Sequence, residues 1–291
     1  MDKSGLINVL KPPGMSSHDV VSFIRRVYGI KKVGHAGTLD PAASGVLPVA
    51  VGKATRLIEY MTDANKSYRA ELTLGFETNT GDDTGDVIET LDAYSAPSKE
   101  KVLSVLNSFI GEIVQTPPMY SAIKVNGNKL CDLARKGINV DIPSRKVLIH
   151  NISLIKYEND KLLFDVDCSK GTYIRSLCID IGRRLAIPAT MSFLVRTKVG
   201  KFTLEKASIF EEISANSSSV VLDIDYAVRH MPAIHLSSAK ILDFKEGRAI
   251  NFESNEQCQF FRIYDTNQCF IGIGTYHSIN RLLTAKKVIF R

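Results

Sequence analysis

The chain reads as an α+β protein: a larger N-terminal domain of interleaved helices and strands, residues 1–230, and a small β-rich C-terminal domain, residues 231–291. Three observations predict this. Apolar residues recur at helical spacing near 20–27, 102–109 and 174–185. They alternate strictly with polar residues over 67–76, as a half-buried strand requires. After His230-Met231-Pro232 only short strand-like runs follow, at 233–236, 259–264, 269–274 and 287–290, with one helix near 238–244 that ends at Gly247. A length of 291 residues suits one large domain plus one small, since domains usually run roughly 100–200 residues.

The first strand, Leu6-Ile7-Asn8-Val9-Leu10, is stopped by the rigid turn Lys11-Pro12-Pro13-Gly14. Ser16 or Ser17 then caps a helix whose stripe is Val20, Val21, Phe23, Ile24 and Val27, with Gly29 positioned to close it. Residues 53–60 form a short helix carrying Lys53 and Arg56. In the alternating strand Tyr68, Ala70, Leu72, Leu74 and Phe76 share the apolar face, so Tyr68 points inward at a strand end. The acidic loop 79–86 lacks the ligand alternation and distal glutamate of a calcium loop, and reads as a plain turn.

Ser98 caps a second helix, with Val102, Leu103, Val105, Leu106 and Phe109 inward and Gly111 at its end. Asn126-Gly127 signals a tight turn. The stretch 124–145 is rich in Lys and Arg and short of bulky apolar residues; a protruding basic element and a solvated hairpin with a helix both fit it. Strands at 147–157 and 161–168 lead into a helix reaching Leu185, capped by Thr172, with Ile174, Leu177 and Ile181 inward. Arg175 falls in its first turn, where the helix dipole favours anions. That is a small reason to look for a carboxylate partner of Arg175 elsewhere in the chain. The polar run 214–219 reads as a linker or surface loop.

Hydrophobic residues make up 44% and charged residues 23%, so a sizeable core needs no staples. The five cysteines include no Cys-x-x-Cys pair, which argues against a zinc knuckle or redox motif and for reduced thiols in a cytoplasmic protein. No signal peptide is read at the N-terminus, and no stretch approaches the ~18 apolar residues of a membrane span. A net charge of +6 suits a polyanionic partner such as RNA or DNA.

The most informative segment is 34–48, Gly-His-Ala-Gly-Thr-Leu-Asp-Pro-Ala-Ala-Ser-Gly-Val-Leu-Pro. Its glycines and prolines exclude a regular helix or central strand, and predict a shaped loop presenting His35 and Asp40. An ordinary tight turn satisfies the same local chemistry.

Segment 34–47 resembles the signature of the TruB family of pseudouridine synthases. Four more segments resemble family motifs in the same order: Lys11-Pro12-Pro13-Gly14-Met15-Ser16-Ser17, Lys66-Ser67-Tyr68-Arg69-Ala70, Cys168 to Leu177, and Leu194-Val195-Arg196-Thr197. The C-terminal region resembles a PUA-type RNA-binding domain. The resemblance implies a mixed, mainly antiparallel sheet with flanking helices. It implies isomerisation of uridine 55 in the T arm of tRNA, with no cofactor, no metal and no guide RNA. A monomer is expected.

By that resemblance Asp40 is the nucleophile or sugar-directed base, paired with Arg175, whose fork suits a carboxylate. A surface phosphate contact or a helix-end salt bridge is the other reading of Arg175. Tyr68 and Tyr173 become walls for a flipped base, and Leu194 completes the apolar surface. Without the resemblance Tyr68 is an ordinary core residue. His35 is assigned to the RNA stack near the vacated position; a general base and a solvated loop histidine are its other readings. Pro12 and Gly14 shape a supporting turn. Lys53, Arg56, Lys124, Lys129, Arg135 and Lys136 are candidate phosphate contacts. The resemblance makes 124–145 an insert that grips the T loop. A non-catalytic RNA-binding or RNA-folding protein is the alternative function, and a guide-dependent relative a third.

Overall fold

The structure is a computed structural model that describes residues 4–125, 127–138, 140–254 and 258–290. Strand β1 (Gly5–Lys11) leads into α1 (Ser17–Tyr28). Ser16 and Asp19 form a reciprocal capping box at its start, worth about 1 kcal/mol. At its end Gly29, with φ of +64°, turns the chain in a left-handed conformation. Val20, Val21, Ile24 and Tyr28 of α1 bury against Ile7, Val9, Leu47 and Val49.

Next come β2 (Val33–His35), β3 (Ser44–Val51), a 3₁₀ turn at Gly52–Leu57, α2 (Ile58–Thr62) and β4 (Lys66–Leu74). A hairpin of β5 (Phe76–Thr78) and β6 (Val87–Thr90) precedes α3 (Lys99–Asn107) and β7 (Gly111–Gln115). The basic stretch holds the two-residue strands β8 (Lys124–Val125) and β9 (Asn128–Lys129), then α4 (Leu130–Ala134). Asn126, half of the tight-turn signal, lies outside the described residues. Strands β10 (Arg145–Glu158) and β11 (Lys161–Cys168), helix α5 (Ile174–Leu185), and strands β12 (Ala189–Val199) and β13 (Phe202–Thr203) follow, then α6 (Phe210–Ala215).

One nine-stranded sheet runs β1-β3-β12-β4-β11-β10-β7, with β2 paired to β3 and β13 to β12. Its described pairings are antiparallel apart from β3 with β12. It is the mixed, mainly antiparallel sheet with flanking helices that the family resemblance implies. Leu177, Ile181 and Leu185 of α5 and Val102 and Leu106 of α3 cover one face, against Ala70, Leu72 and Phe164. Each fully buried aliphatic side chain contributes roughly 1.5–3 kcal/mol.

The C-terminal strands β14 (Ala233–His235), β15 (Ile250–Asn251), β16 (Phe260–Tyr264), β17 (Phe270–His277) and β18 (Leu282–Val288) form a five-stranded sheet with α7 (Ser238–Lys245). Phe270, Ile273 and Ile289 share a hydrophobic cluster with Leu6, Val46, Leu57 and Met61. The two sheets therefore meet across a continuous apolar contact.

Four expectations are corrected. Residues 44–48, read as the end of the shaped loop because of Gly45 and Pro48, belong to the interior strand β3. Pro48 is tolerated because its carbonyl accepts from the Ala36 N–H, so its nitrogen faces that same edge, where the pairing with β12 has ended and β2 gives way to the Asp40 loop. Gly45, at φ of +113°, lies so close to Arg196 that a Cβ would sit 2.3 Å from the Arg196 carbonyl oxygen. Leu103 is exposed, since the stripe of α3 covers only Val102, Val105 and Leu106. Thr172 does not cap α5; its hydroxyl donates to the Ser169 carbonyl, and Tyr173 occupies the cap. The last strand spans 282–288 rather than 287–290, because pairing with β17 rather than local apolarity sets its extent.

Candidate active site

The Asp40 loop, 36–43, connects β2 to β3 and hangs over the central sheet. Three buried side chains hold it. Ser17 accepts from the Leu39 N–H at 2.9 Å and donates to the Leu39 carbonyl at 3.0 Å. Arg196, 1% exposed on β12, donates to the carbonyls of Val46, Thr38 and Gly37 at 2.8, 3.2 and 3.1 Å. Lys11, fully buried, donates to Pro12, Met15 and Pro41 at 2.7, 2.7 and 3.1 Å. Burial pulls the Lys11 ammonium down to about 8, with the Asp40 charge opposing that shift. Among the described residues neither cation has a carboxylate within ion-pair distance; backbone dipoles solvate both.

Asp40 itself is 34% exposed in its side chain and meets Arg175, which is 4% exposed. Arg175 Nε lies 3.0 Å from Oδ2, and Nη2 donates to Oδ1 at 3.3 Å. Nη1 donates to the Thr80 carbonyl at 2.8 Å and Nη2 to the Tyr120 carbonyl at 2.7 Å. Arg175 thus ties together the Asp40 loop, the acidic loop and the chain before β8. The expected carboxylate partner is there, and a second one with it. Asp82 Oδ2 lies 3.8 Å from Arg175 Nε.

Asp82, Lys11 and Arg196 are participants that sequence reasoning did not single out for this role. The acidic loop was read as a plain turn. In fact Asp82 is its buried centre, accepting from the hydroxyls of Thr80 and Thr84 at 2.7 and 2.6 Å. Thr80-x-Asp82-x-Thr84 was the available signal, since hydroxyls flanking an aspartate often bond it locally.

Tyr68 stands directly opposite Arg196 across β4 and β12, and Ala70 opposite Leu194. All four therefore share one sheet face. Tyr68 and Leu194 are buried in the same cluster as Leu39 and Ala43 of the Asp40 loop. Burial raises the Tyr68 hydroxyl above its ordinary range, and the Arg196 charge opposes that. The sheet thus brings Asp40, Tyr68, Leu194 and Arg175 into one neighbourhood.

Tyr173 sits half-buried at the start of α5, two residues before Arg175. Gln115 clamps its backbone, accepting from its N–H at 2.7 Å and donating to its carbonyl at 3.0 Å. The Arg145 guanidinium covers its ring at 4.9 Å. His35 is on β2, at the entry to the loop. Burial, then the Arg196 charge, lower its pKa below 6.5, so the ring is neutral at pH 7. Its Nδ1 is buried without a partner among the described residues.

The candidate phosphate contacts divide. Lys53 lies over the Phe290 ring at 4.4 Å, and Arg56 donates to the Val288 carbonyl, so both face the C-terminal sheet. Arg135 pairs with Asp132 at 3.5 Å on an exposed surface, and Lys136 is exposed. The side chains of Lys124 and Lys129 lie outside what is described.

A solved Cbf5–Nop10–Gar1 complex holds a chain that superposes with a TM-score of 0.76 at 26% identity, covering 98% of this chain and 85% of that one. A chain in an H/ACA ribonucleoprotein bound to a substrate RNA containing 2′-deoxyuridine gives 0.75 at 24% identity, over 99% and 85%. The fold is that of a pseudouridine synthase.

Residues 25–174 match the N-terminal domain of TruB family pseudouridylate synthases, and residues 232–285 the C-terminal region of pseudouridine synthase II TruB. The tRNA pseudouridine synthase B of Caldanaerobacter subterraneus subsp. tengcongensis is 48% identical over 278 residues, covering 94% of this chain and 95% of that protein. That of Bacillus subtilis is 42% identical, over 99% and 96%. The chain belongs to the TruB family.

Proposed function

We propose that this protein isomerises uridine 55 in the T arm of tRNA to pseudouridine, acting alone on the RNA. The observation that carries the reading is the Asp40 carboxylate, part exposed and gripped along one edge by buried Arg175. In the reaction the N1–C1′ bond breaks, the uracil turns, and a C5–C1′ bond forms. The C5 hydrogen leaves as a proton and N1 gains one, so no oxidant or reductant is needed.

Asp40 acts on the sugar, as nucleophile or as base. Arg175 orients it. Such alignment accounts for a large share of catalysis when reacting atoms are held in contact. Extruding the target base costs a few kcal/mol, and a flanking aromatic wall recovers roughly 1–3 kcal/mol per stacked base. Tyr68 is that wall, with Leu194 beside it and Tyr173 at the rim under Arg145. His35, neutral at pH 7, contacts the RNA where the base has left.

Residues 1–230 form the catalytic domain, with 124–145 gripping the T loop, and residues 231–291 form a PUA-like RNA-binding domain. Curated relatives named tRNA pseudouridine synthase B support the substrate. No described helix is long and apolar enough to cross a membrane, and the cytoplasm is the proposed compartment.

The test incubates purified protein with an unmodified T-arm hairpin, without guide RNA or metal, and maps pseudouridine. A single product at the T-loop uridine is expected. Asp40→Asn is expected to lose turnover by about 10³-fold or more while RNA binding survives. Full turnover by that variant would sink the role given to Asp40. Binding without any turnover by the wild type would favour an RNA-folding protein.

A further inference from the structure

A cavity of about 650 Å³ lies at one end of the main sheet. Ser67, Asp167 and Lys198 form one wall, standing in register across β4, β11 and β12. They occupy the face opposite Tyr68, because successive strand residues alternate. A bulge between Arg196 and Lys198 makes this possible. Without the extra residue, Lys198 would share the Arg196 face; with it, Arg196 stays under the Asp40 loop and Lys198 turns out into the cavity. Met61, Val199, Phe202 and Ala227 supply an apolar floor.

Charge in this cavity is unbalanced. Asp63 is paired with Lys170 at 2.9 Å, and Asp167 accepts from the Ser67 hydroxyl. Lys198 and Lys201 are exposed and have no carboxylate within ion-pair distance among the described residues. Tyr60 also lines the cavity, and its buried hydroxyl has no hydrogen-bond partner among the described residues. Two free ammonium groups over an apolar floor suit a ligand with a phosphate and a flat or sugar-like body. The volume falls within the roughly 300–1,000 Å³ usual for small-molecule sites, so a bare anion underfills it.

The cavity also borders the Asp40 loop. Lys66 lines it, and Lys66 Cε stands 4.0 Å from where a Cβ on Gly37 would be. We infer that this cavity is a second RNA subsite, taking one unpaired nucleotide outside the isomerised position, with its phosphate on Lys198 and Lys201 and its base or ribose against the Phe202 floor. The inference rests on the RNA-modifying function proposed above.

The test is the double variant Lys198→Glu/Lys201→Glu, assayed on the T-arm hairpin and on whole tRNA, with thermal melting as the folding control. KM is expected to rise about tenfold or more with kcat within about twofold. The slope of log binding constant against log salt is expected to shrink by about 1.4, at about 0.7 per single-strand phosphate contact. Photoreactive nucleotides flanking the target are expected to crosslink to the 198–202 wall. Unchanged KM and salt slope in a folded variant overturn the subsite. So does tight binding of free uridine 5′-monophosphate by a protein whose RNA affinity ignores both lysines. A wild type that binds RNA through these lysines yet makes no pseudouridine keeps the subsite and rejects the proposed reaction.

Discussion

Arg175 grips Asp40 along a single edge, Nε to Oδ2 at 3.0 Å and Nη2 to Oδ1 at 3.3 Å, while Nη1 donates to the Thr80 carbonyl. One buried guanidinium therefore fixes both the carboxylate and the loop beside it. A helix N-terminus is a poor electrostatic home for an arginine. Two carboxylates and two carbonyls offset that cost.

A lysine at this position keeps the charge and loses the planar fork. Arg175→Lys is expected to lower kcat by about 10²-fold. It should also cost roughly 2–4 kcal/mol of stability, because the Thr80 and Tyr120 carbonyls lose donors. Single-turnover assays and urea unfolding measure the two effects separately. An unchanged kcat rejects the clamp.

Asp82 tests whether the second carboxylate matters through charge or through shape. Asparagine preserves an oxygen for the Thr80 and Thr84 hydroxyls, so the loop keeps its form while the charge near Arg175 disappears. Asp82→Asn should reduce kcat about tenfold with RNA affinity within about twofold, an effect on the order of 1.4 kcal/mol. A fall in affinity instead of kcat would mean that the loop binds RNA directly.

His35 links the site to pH. Its folded pKa is lowered from 6.5 by burial and by Arg196. The unfolded chain therefore takes up the proton first as pH falls. The stability His35 contributes is present above about pH 6.5 and is lost below it, as the folded group resists protonation. Urea unfolding of wild type and His35→Gln should show their stability difference shifting against the wild type between pH 7 and pH 5. Parallel curves would reject the burial of a neutral ring.

Lys11 gives a pH signature of the same sign in a higher window. Folded Lys11 releases its proton near pH 8, and the unfolded chain near 10.5. Between these values the unfolded state holds more protons, so rising pH favours the fold. Relative to Lys11→Met, the wild type should gain roughly 1–3 kcal/mol between pH 8 and pH 10.5. The variant should also lose turnover, because the Pro41 carbonyl next to Asp40 loses its donor. A flat difference across that range would show that burial does not lower the Lys11 pKa.

Local chemistry made much of this fold legible. Ser16, Asp19 and Gly29 bound α1 through groups within one turn of each end. The alternation from Lys66 to Leu74 defines β4 and turns Tyr68 inward. The position of Arg175 in a first helical turn gave a small reason to look for a carboxylate partner, and the resemblance pointed to Asp40. The motif order from Lys11 to Thr197 pointed to the family.

What the sequence could not determine depends on partners distant in the chain. Pro48 lies in an interior strand because its nitrogen falls between the end of the β12 pairing and the end of β2, where no strand partner asks for a donor. Asp82 matters because Arg175 reaches it across the molecule; the flanking Thr80 and Thr84 mark it locally as hydrogen-bonded, not as a partner of Arg175. Arg196 and Lys198, two residues apart, face opposite sides of the sheet only because a bulge separates them. Residues and their local conformations come from short-range sterics and hydrogen bonding, which act within a few positions. Which carbonyls a buried cation solvates, and which carboxylate an arginine holds, are decided only when the sheet brings them within 3 to 4 Å.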